Sequence, residues 1–511
     1  MKQIEKPTTK LNSPDFFATE HLRADLRSRS IRGGAVTLIA QASKFAIQMT
    51  STVFIARLLT PEDYGLVAMA SVVIKFVQMF KTFGLSAAVV QKKHVNHAQV
   101  STLFWINSGI SFVIGLIIIA IAPAVAWFYQ EPRLTNIMLV LSSVFIFGGL
   151  SIQHQALLRR QMRFASLARI ELTSMALGVI AGIVAALNGA GYWALIILQI
   201  SMTVSYNIGI WLTCRWRPGL PVWNSGVGSL LAFGGNLMAF SLVNYFSRNL
   251  DNVLIGRFWG SQELGLYAKA YQLLLLPIQQ INNPVTKVAL PALSRLQTKP
   301  EQYGRYYYKA ILAITTVSMP LVAFTFAIAD RIVLLLLGEQ WMMVVPIFRW
   351  LMPAALIGTF NVAGGWIYQP LGRTDRQFQI GVIISAIDVI IFFVSVRWGA
   401  LGVAAAYGLS RPILLIPRMR HCYGGVPAEL KPHLNIGKLI STLSRPCIAS
   451  LGAAALLMIV NYRLLLEVNL LLALGLSLLL YVLFYGAIWL SFPNGKQTLW
   501  EMIKMLKELK K

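Results

Sequence analysis

The sequence predicts an all-α polytopic membrane protein of about 14 transmembrane helices, built as two parallel-topology six-helix lobes plus two C-terminal helices. Three observations predict it. Apolar residues fill 56% of 511 positions and charged residues only 13%, against roughly a quarter charged in an ordinary soluble domain. Hydrophobic runs recur along the whole length, many reaching the ~20 residues that a helix needs to cross a hydrocarbon core. A phrase, "IARLLTPEDYGLVAMA" at Ile55 to Ala70, returns without a gap as "IGRFWGSQELGLYAKA" at Ile255 to Ala270.

The runs place spans 1 to 14 at 34–58, 64–90, 101–129, 135–158, 167–187, 191–213, 226–256, 262–292, 309–337, 343–368, 376–396, 400–419, 436–461 and 466–491. Residues 1–33 then form a cytoplasmic N-terminal segment, 34–213 the first lobe, 214–225 a cytoplasmic linker and 226–419 the second lobe. Residues 420–491 hold a linker with the last two spans, and 492–511 a basic cytoplasmic tail. The N-terminal segment carries acids and lacks an apolar core, which a cleavable signal peptide would need.

Lys and Arg accumulate in cytoplasmic loops. With the N-terminus inside, the inner segments hold 31 of the 45 basic residues, among them Arg159, Arg160, Arg215, Arg217, Arg411 and Arg418. The outer turns and helix ends hold Arg57, Arg133, Arg257, Arg331, Arg397 and Arg463. Both termini are therefore expected in the cytoplasm. Loops that face anionic lipid account for most of the +26 net charge. A nucleic-acid partner would need basic residues and stacking aromatics on one soluble face, and here the aromatics lie in spans. Cys214, Cys422 and Cys447 show no disulfide or metal spacing, so no metal and no cofactor is expected.

The phrase straddles spans 1 and 2, then spans 7 and 8, so the repeat unit is six helices. An even unit gives the two copies parallel topology. Arg57 matches Arg257, Gly65 matches Gly265, Leu66 matches Leu266, Ala68 matches Ala268 and Ala70 matches Ala270. Thr60 is placed to cap the helix after it, with Pro61 in the first turn and Glu62 and Asp63 at the positive end of its dipole. Small residues in both copies permit close helix contact, and architecture is the expected role.

Candidate chemistry lies where polar groups sit inside spans, because an ionisable group at mid-membrane is costly and faces a partner or a watery cavity. Span 1 carries Gln41, Lys44, Gln48 and Ser51 on one face, and span 2 carries Ser71, Lys75, Gln78 and Thr82. Span 7 carries Asn236, Ser241, Asn244, Ser247, Arg248, Asp251 and Asn252 within half its circumference. Span 8 aligns Lys269, Gln280, Asn283 and Lys287, with Pro277 and Pro284 as kink sites. A structural reading stands beside each: Arg248 and Asp251 neutralise one another, Lys269 snorkels outward, and Lys287 and Lys81 snorkel inward. His94 and His97 read as solvated loop residues, Glu171 and Asp388 as isolated acids, and Leu499–Lys511 as a helix on the inner leaflet or a solvated tail.

The block "NLDNVLIGRFWGSQELGLYAKAYQLLLLPIQQINNPVTKVALPALSRLQ", Asn249 to Gln297, resembles bacterial polysaccharide exporters. These are the Wzx-like flippases of the multidrug/oligosaccharidyl-lipid/polysaccharide exporter superfamily. The start, "GGAVTLIAQASKFAIQMTSTVFIARLLTPEDYGLVAMA", is similar to their first two helices, and the likeness covers about residues 31 to 490. Exporters of the colanic-acid type are the nearest branch. The resemblance implies a two-lobed bundle that moves an undecaprenyl-pyrophosphate-linked sugar repeat between leaflets through a cleft lined by helices 1, 2, 7 and 8. It supplies no universal catalytic residue.

The cationic stripes suit an anionic head group. Lys44, Lys75, Arg248, Lys269 and Lys287 are the candidates for pyrophosphate or acidic sugars. Gln48, Gln78, Asn236, Asn244, Asp251 and Gln280 are the candidates for hydroxyls or for holding the bases. The expected partners are the lipid-linked oligosaccharide and membrane lipids, with a polysaccharide polymerase and chain-length regulator as further possibilities and a monomer as the working unit. Two rivals are a multidrug cation exporter, which would place buried carboxylates in its first lobe, and a membrane polymerase or ligase. The latter would need positioned acid, base or metal groups that the sequence lacks. No GxxxxGK[ST] phosphate loop is present.

Overall fold

A helix in hydrocarbon satisfies its own backbone, so the apolar runs fold as helices and short polar stretches turn the chain between them. The computed structural model describes residues 26–79, 89–90, 95–222, 228–464, 469–493 and 495–497. Lys81, His94, the segment 1–25, the tail 499–511 and the side chains of Asn236, Ser241, Asn244, Ser247 and Arg248 lie outside the described residues.

The helices are α1 (Leu26–Leu58), α2 (Pro61–Met79), α3 (His97–Tyr129), α4 (Arg133–Arg160), α5 (Phe164–Leu187), α6 (Trp193–Thr213) and α7 (Gly228–Arg295). They continue as α8 (Pro300–Ala327), α9 (Ala329–Leu336), α10 (Val344–Gly358), α11 (Val362–Tyr368), α12 (Thr374–Ser395), α13 (Gly399–Gly424), α14 (Ile436–Leu464) and α15 (Leu470–Ser491). Among the described residues, nine helices are long and apolar enough to cross a membrane.

Local chemistry sets several boundaries. Between α1 and α2, Asp63 Oδ2 accepts from the Thr60 amide at 2.9 Å and Thr60 Oγ1 accepts from the Asp63 amide at 3.3 Å, a reciprocal cap. Asn96 and Gln99 exchange the same pair of bonds at the start of α3, four residues ahead of the predicted span. Inside α7, Gly260 (φ 80°, ψ −172°) leaves the helical region and folds spans 7 and 8 into two arms. Only glycine adopts that conformation readily. Span 9 divides into α8 and α9 at Ile328, and span 10 into α10 and α11 across Thr359–Asn361. Hydropathy stays high through both breaks, and a continuous apolar run cannot reveal a change of direction.

The chain divides into two compact units. The first holds Met1–Ser51, Ile74–Ala126 and Pro132–Ala239. Its core joins Leu103 and Phe104 of α3, Leu157 and Leu158 of α4, Ile170 of α5 and Ile210 of α6, closed by Cys214 and Trp216. The segment after α6 is strapped to α3. Ser101 Oγ accepts from the Gly219 amide at 3.0 Å, Thr102 Oγ1 from the Val222 amide at 3.0 Å, and Trp105 Nε1 donates to the Gly219 carbonyl at 2.9 Å.

The second unit holds Thr52–Val73, Trp127–Glu131 and Phe240–Lys511. In it α13 packs on α10 and α12, and α14 packs on α8 and α15. Ala323 and Ala327 of α8 meet Ala453 and Leu457 of α14 and Tyr481 of α15 in one apolar cluster. Arg331 adds a polar pin, donating to Asn461 Oδ1 and Ser477 Oγ, each at 3.2 Å.

Candidate functional site

The repeated phrase builds the centre of the site by packing on itself. A Cβ on Gly65 would stand 1.7 Å from the Ser261 carbonyl oxygen, and a Cβ on Gly265 would stand 1.8 Å from the Pro61 carbonyl oxygen. Ser261 is the repeat equivalent of Pro61, and Gly265 of Gly65. The two contacts are therefore the same contact made twice, residue i on j′ and j on i′, as in an isologous interface. Backbone approaches this close require both glycines.

Side chains fasten the crossing. Gln340 Nε2 donates to the carbonyls of Ala56 (2.8 Å) and Leu59 (2.9 Å), and Trp341 Nε1 donates to Ala56 at 2.8 Å. Arg57 donates to the Leu335 carbonyl at 2.5 Å. The free carbonyls at the end of α1 are thus satisfied from the α9–α10 turn.

Lys269 sits in this knot. It is 3% exposed, its Nζ lies 3.7 Å from the centre of the Tyr64 ring and 5.8 Å from that of Trp341, and the two rings meet edge to face at 5.3 Å. Among the described residues no carboxylate pairs with it, so aromatic faces carry its stabilisation. Its repeat equivalent is Met69, which is also buried. One copy of the phrase therefore has an apolar side chain where the other has a cation. Snorkelling, the structural alternative for Lys269, does not describe this geometry.

The other candidates divide by unit. In the first, Lys44 pairs with Glu171, and both are about two-thirds buried. Glu171 is thus a partner rather than an isolated acid. Gln48 is half-buried, while Lys75 and Gln78 are exposed on α2. In the second unit, Asp251 is buried and accepts from the Tyr267 hydroxyl at 2.8 Å and from Asn252. Those bonds are its partners among the described residues; the expected pairing with Arg248 falls on a side chain outside them. Gln280 is half-buried and Lys287 exposed. Neither Lys75 nor Lys287 makes an ion pair among the described residues.

A second polar group was not legible as a site. Arg411, grouped by charge counting with the cytoplasmic residues, is held inside α13, where it pairs with Asp388 of α12 at 2.7 Å and lies 4.1 Å from the Tyr407 ring centre. Asp388 is therefore not isolated. Tyr64, Trp341, Tyr267 and Glu171 also enter only through tertiary contact. Among the described residues no group of three His, Cys, Asp or Glu could hold a metal ion.

A family described as "Polysaccharide biosynthesis protein" matches residues 54–346, which include both copies of the phrase. The lipopolysaccharide biosynthesis protein WzxC of Escherichia coli (strain K12) is 24% identical over 397 residues, 76% of this chain and 79% of that protein. The teichuronic acid biosynthesis protein TuaB of Bacillus subtilis (strain 168) is 27% identical over 328 residues, 64% and 68% of the two chains. The succinoglycan biosynthesis transport protein ExoT of Rhizobium meliloti (strain 1021) is 26% identical over 309 residues, 60% and 62%. Among solved structures, the lipid II flippase MurJ in an inward closed conformation is similar with a TM-score of 0.69 at 12% identity, covering 90% of this chain and 99% of that one. An inward-facing multidrug transporter of the MATE family in the MOP superfamily gives 0.58 at 14% identity, covering 74% and 94%. These two likenesses show the fold.

Proposed function

This chain belongs to the polysaccharide biosynthesis protein family, and from that premise we propose that it flips undecaprenyl-pyrophosphate-linked oligosaccharide repeat units across the bacterial inner membrane. It is a multi-pass membrane protein and a transporter rather than an enzyme. The family match over both copies of the phrase carries the reading. The names of the relatives, which speak of lipopolysaccharide, teichuronic acid and succinoglycan, support exported glycans as the cargo class.

The mechanism proposed uses cations that can pair with phosphate oxygens while the lipid tail stays in hydrocarbon. In each unit an exposed lysine that pairs with no acid among the described residues, Lys75 in the first and Lys287 in the second, serves as a contact for pyrophosphate. Lys44 and Lys269 are held in reserve by Glu171 and by the Tyr64–Trp341 rings. They become available only as those contacts open. By the charge pattern the crossing at Gly65 and Gly265 lies at the outer end of the helices. It closes that end, and parts when cargo is released to the outer leaflet.

A multidrug cation exporter with the same fold is disfavoured by one observation: Glu171, the carboxylate within the described spans of the first unit, is already neutralised by Lys44.

The test is leaflet-resolved accounting of lipid-linked oligosaccharide in cells lacking this gene and then restored. Completed repeat units should accumulate on the cytoplasmic leaflet and be cleared by the wild type. The Lys75→Ala/Lys287→Ala variant should clear them at least tenfold more slowly at equal protein level, since a hydrogen bond to a charged group contributes about 1.5–3 kcal/mol. Single repeat units that reach the periplasm and fail to polymerise would instead make this chain a catalyst of the next step. Unchanged clearance by the double variant would remove the cationic contacts from the mechanism.

A further inference from the structure

Beyond the phosphate-binding cations, the second unit holds a buried polar string that links four helical segments. Asp251 lies on the arm of α7 before Gly260, Tyr267 and Tyr271 on the arm after it, Asp388 on α12, and Tyr407 and Arg411 on α13. The Tyr267 hydroxyl donates to Asp251 Oδ2 at 2.8 Å. Tyr267 stacks on Tyr271, and the Tyr271 and Tyr407 hydroxyls lie 3.4 Å apart. Arg411 lies against the Tyr407 ring and pairs with Asp388.

The charges in this string do not balance. Within the string two carboxylates meet one guanidinium, which is committed to Asp388; Arg418, bonded to Asn361, lies outside the string and acts on Asp388 only through space. Among the described residues Asp251, 3% exposed, receives only neutral donors: the Tyr267 hydroxyl, and the Asn252 amide at 2.8 Å and side chain at 3.1 Å. Asp388 and Arg411 also act on it through space, with opposite signs. Ionised, Asp251 is an uncompensated charge at membrane depth, which is costly. One proton makes the string neutral. A metal cation fits poorly, because donors already point at both carboxylate oxygens and would have to turn away.

We propose that Asp251 is a proton-exchanging carboxylate of the transport cycle, and that its state is read by the crossing through Tyr267. The proposal rests on the transport reading above. Tyr267 lies two residues after Gly265 and two before Lys269, within the second copy of the phrase. The ionised carboxylate holds it by a charge-assisted bond, about twice as strong as a neutral one. Deprotonated Asp251 thus keeps the arm after Gly260 in the crossed position. When hydronium delivers a proton, one of its O–H bonds breaks as one forms on Asp251, water is released with no change of oxidation state, and the grip on Tyr267 relaxes. A proton taken up from outside then opens the outer end, and its loss to the inside closes it again.

Infrared difference spectroscopy of the full-length protein in phospholipid vesicles tests the site without any cargo. The expected result is a protonated-carboxyl band that grows as pH falls, is lost in Asp251→Asn, returns displaced in frequency in Asp251→Glu, and is indifferent to exchange of potassium for sodium. A wild type with no such band at any pH would overturn the proposal even if Asp251→Asn failed to fold. So would a band that sodium abolishes, or one that survives in Asp251→Asn. A titrating Asp251 in a chain that leaves leaflet distribution unchanged would sink the transport reading, and with it the role of Asp251 in a cycle, while leaving it a proton site.

Discussion

Gly65 and Gly265 matter because of what a single carbon would do to them. Bringing the Gly65 Cβ from 1.7 Å to a tolerable distance from the Ser261 carbonyl moves backbone against backbone, with no flexible side chain to yield. Overpacking of that kind typically costs about 1–3 kcal/mol. Gly65→Ala and Gly265→Ala should therefore each lower the thermal unfolding temperature, and each should slow export while the protein still reaches the membrane. Equal unfolding temperatures and equal export would show that the crossing is dispensable. The phrase revealed these glycines as equivalent positions but not as contacts, because a repeat announces similarity and not which surfaces meet. Lys269 is the counterpart at the same scale, since a lysine among apolar residues reads as a charge to be exposed until Tyr64 and Trp341 are brought beside it.

At the scale of elements, caps were readable and bends were not. Thr60, Pro61 and Asp63 specify the start of α2 from four consecutive positions, since capping is local chemistry. The strap after α6 lies in what sequence marks as a linker, yet side chains of α3 hold it at Gly219 and Val222. Removing those acceptors in Ser101→Ala/Thr102→Val takes away two bonds worth about 1 kcal/mol each. Burial pushes the Cys214 thiol up, against the smaller opposing effects of Arg163 and Arg217, so the wild-type thiol should resist alkylation near neutral pH. The double variant should alkylate Cys214 measurably faster. Equal rates in the two proteins would mean that the apolar core around Trp216 holds the segment without the strap.

For the whole molecule, the distribution of Lys and Arg is the governing signal, and it predicts both termini in the cytoplasm. A fluorescent reporter fused after Lys511 should light up, and a phosphatase that folds only in the periplasm should stay inactive there. The same phosphatase inserted beside Glu131 should be active. The reverse pattern would invert the proposed direction of flipping along with the side on which the crossing closes. The C-terminal pair α14 and α15 packs on α8 in the second unit, a placement that two generic apolar runs do not encode.

The sequence by itself determined the solvent, the all-helical membrane class, the internal repeat and the family, because these follow from composition, period and direct similarity. It also marked Lys44, Asp251 and Lys269 as unusual, since burying charge in a membrane is conspicuous whatever surrounds it. Only the tertiary structure decided what each one faces: Glu171 for Lys44, Tyr267 for Asp251, two aromatic rings for Lys269, and Asp388 for an Arg411 that loop counting had grouped with the cytoplasmic residues. The physical reason is range. Periodicity and capping act within one or two turns of a helix, whereas a buried charge is stabilised by whichever side chains the fold brings within a few ångströms, and those lie on other helices.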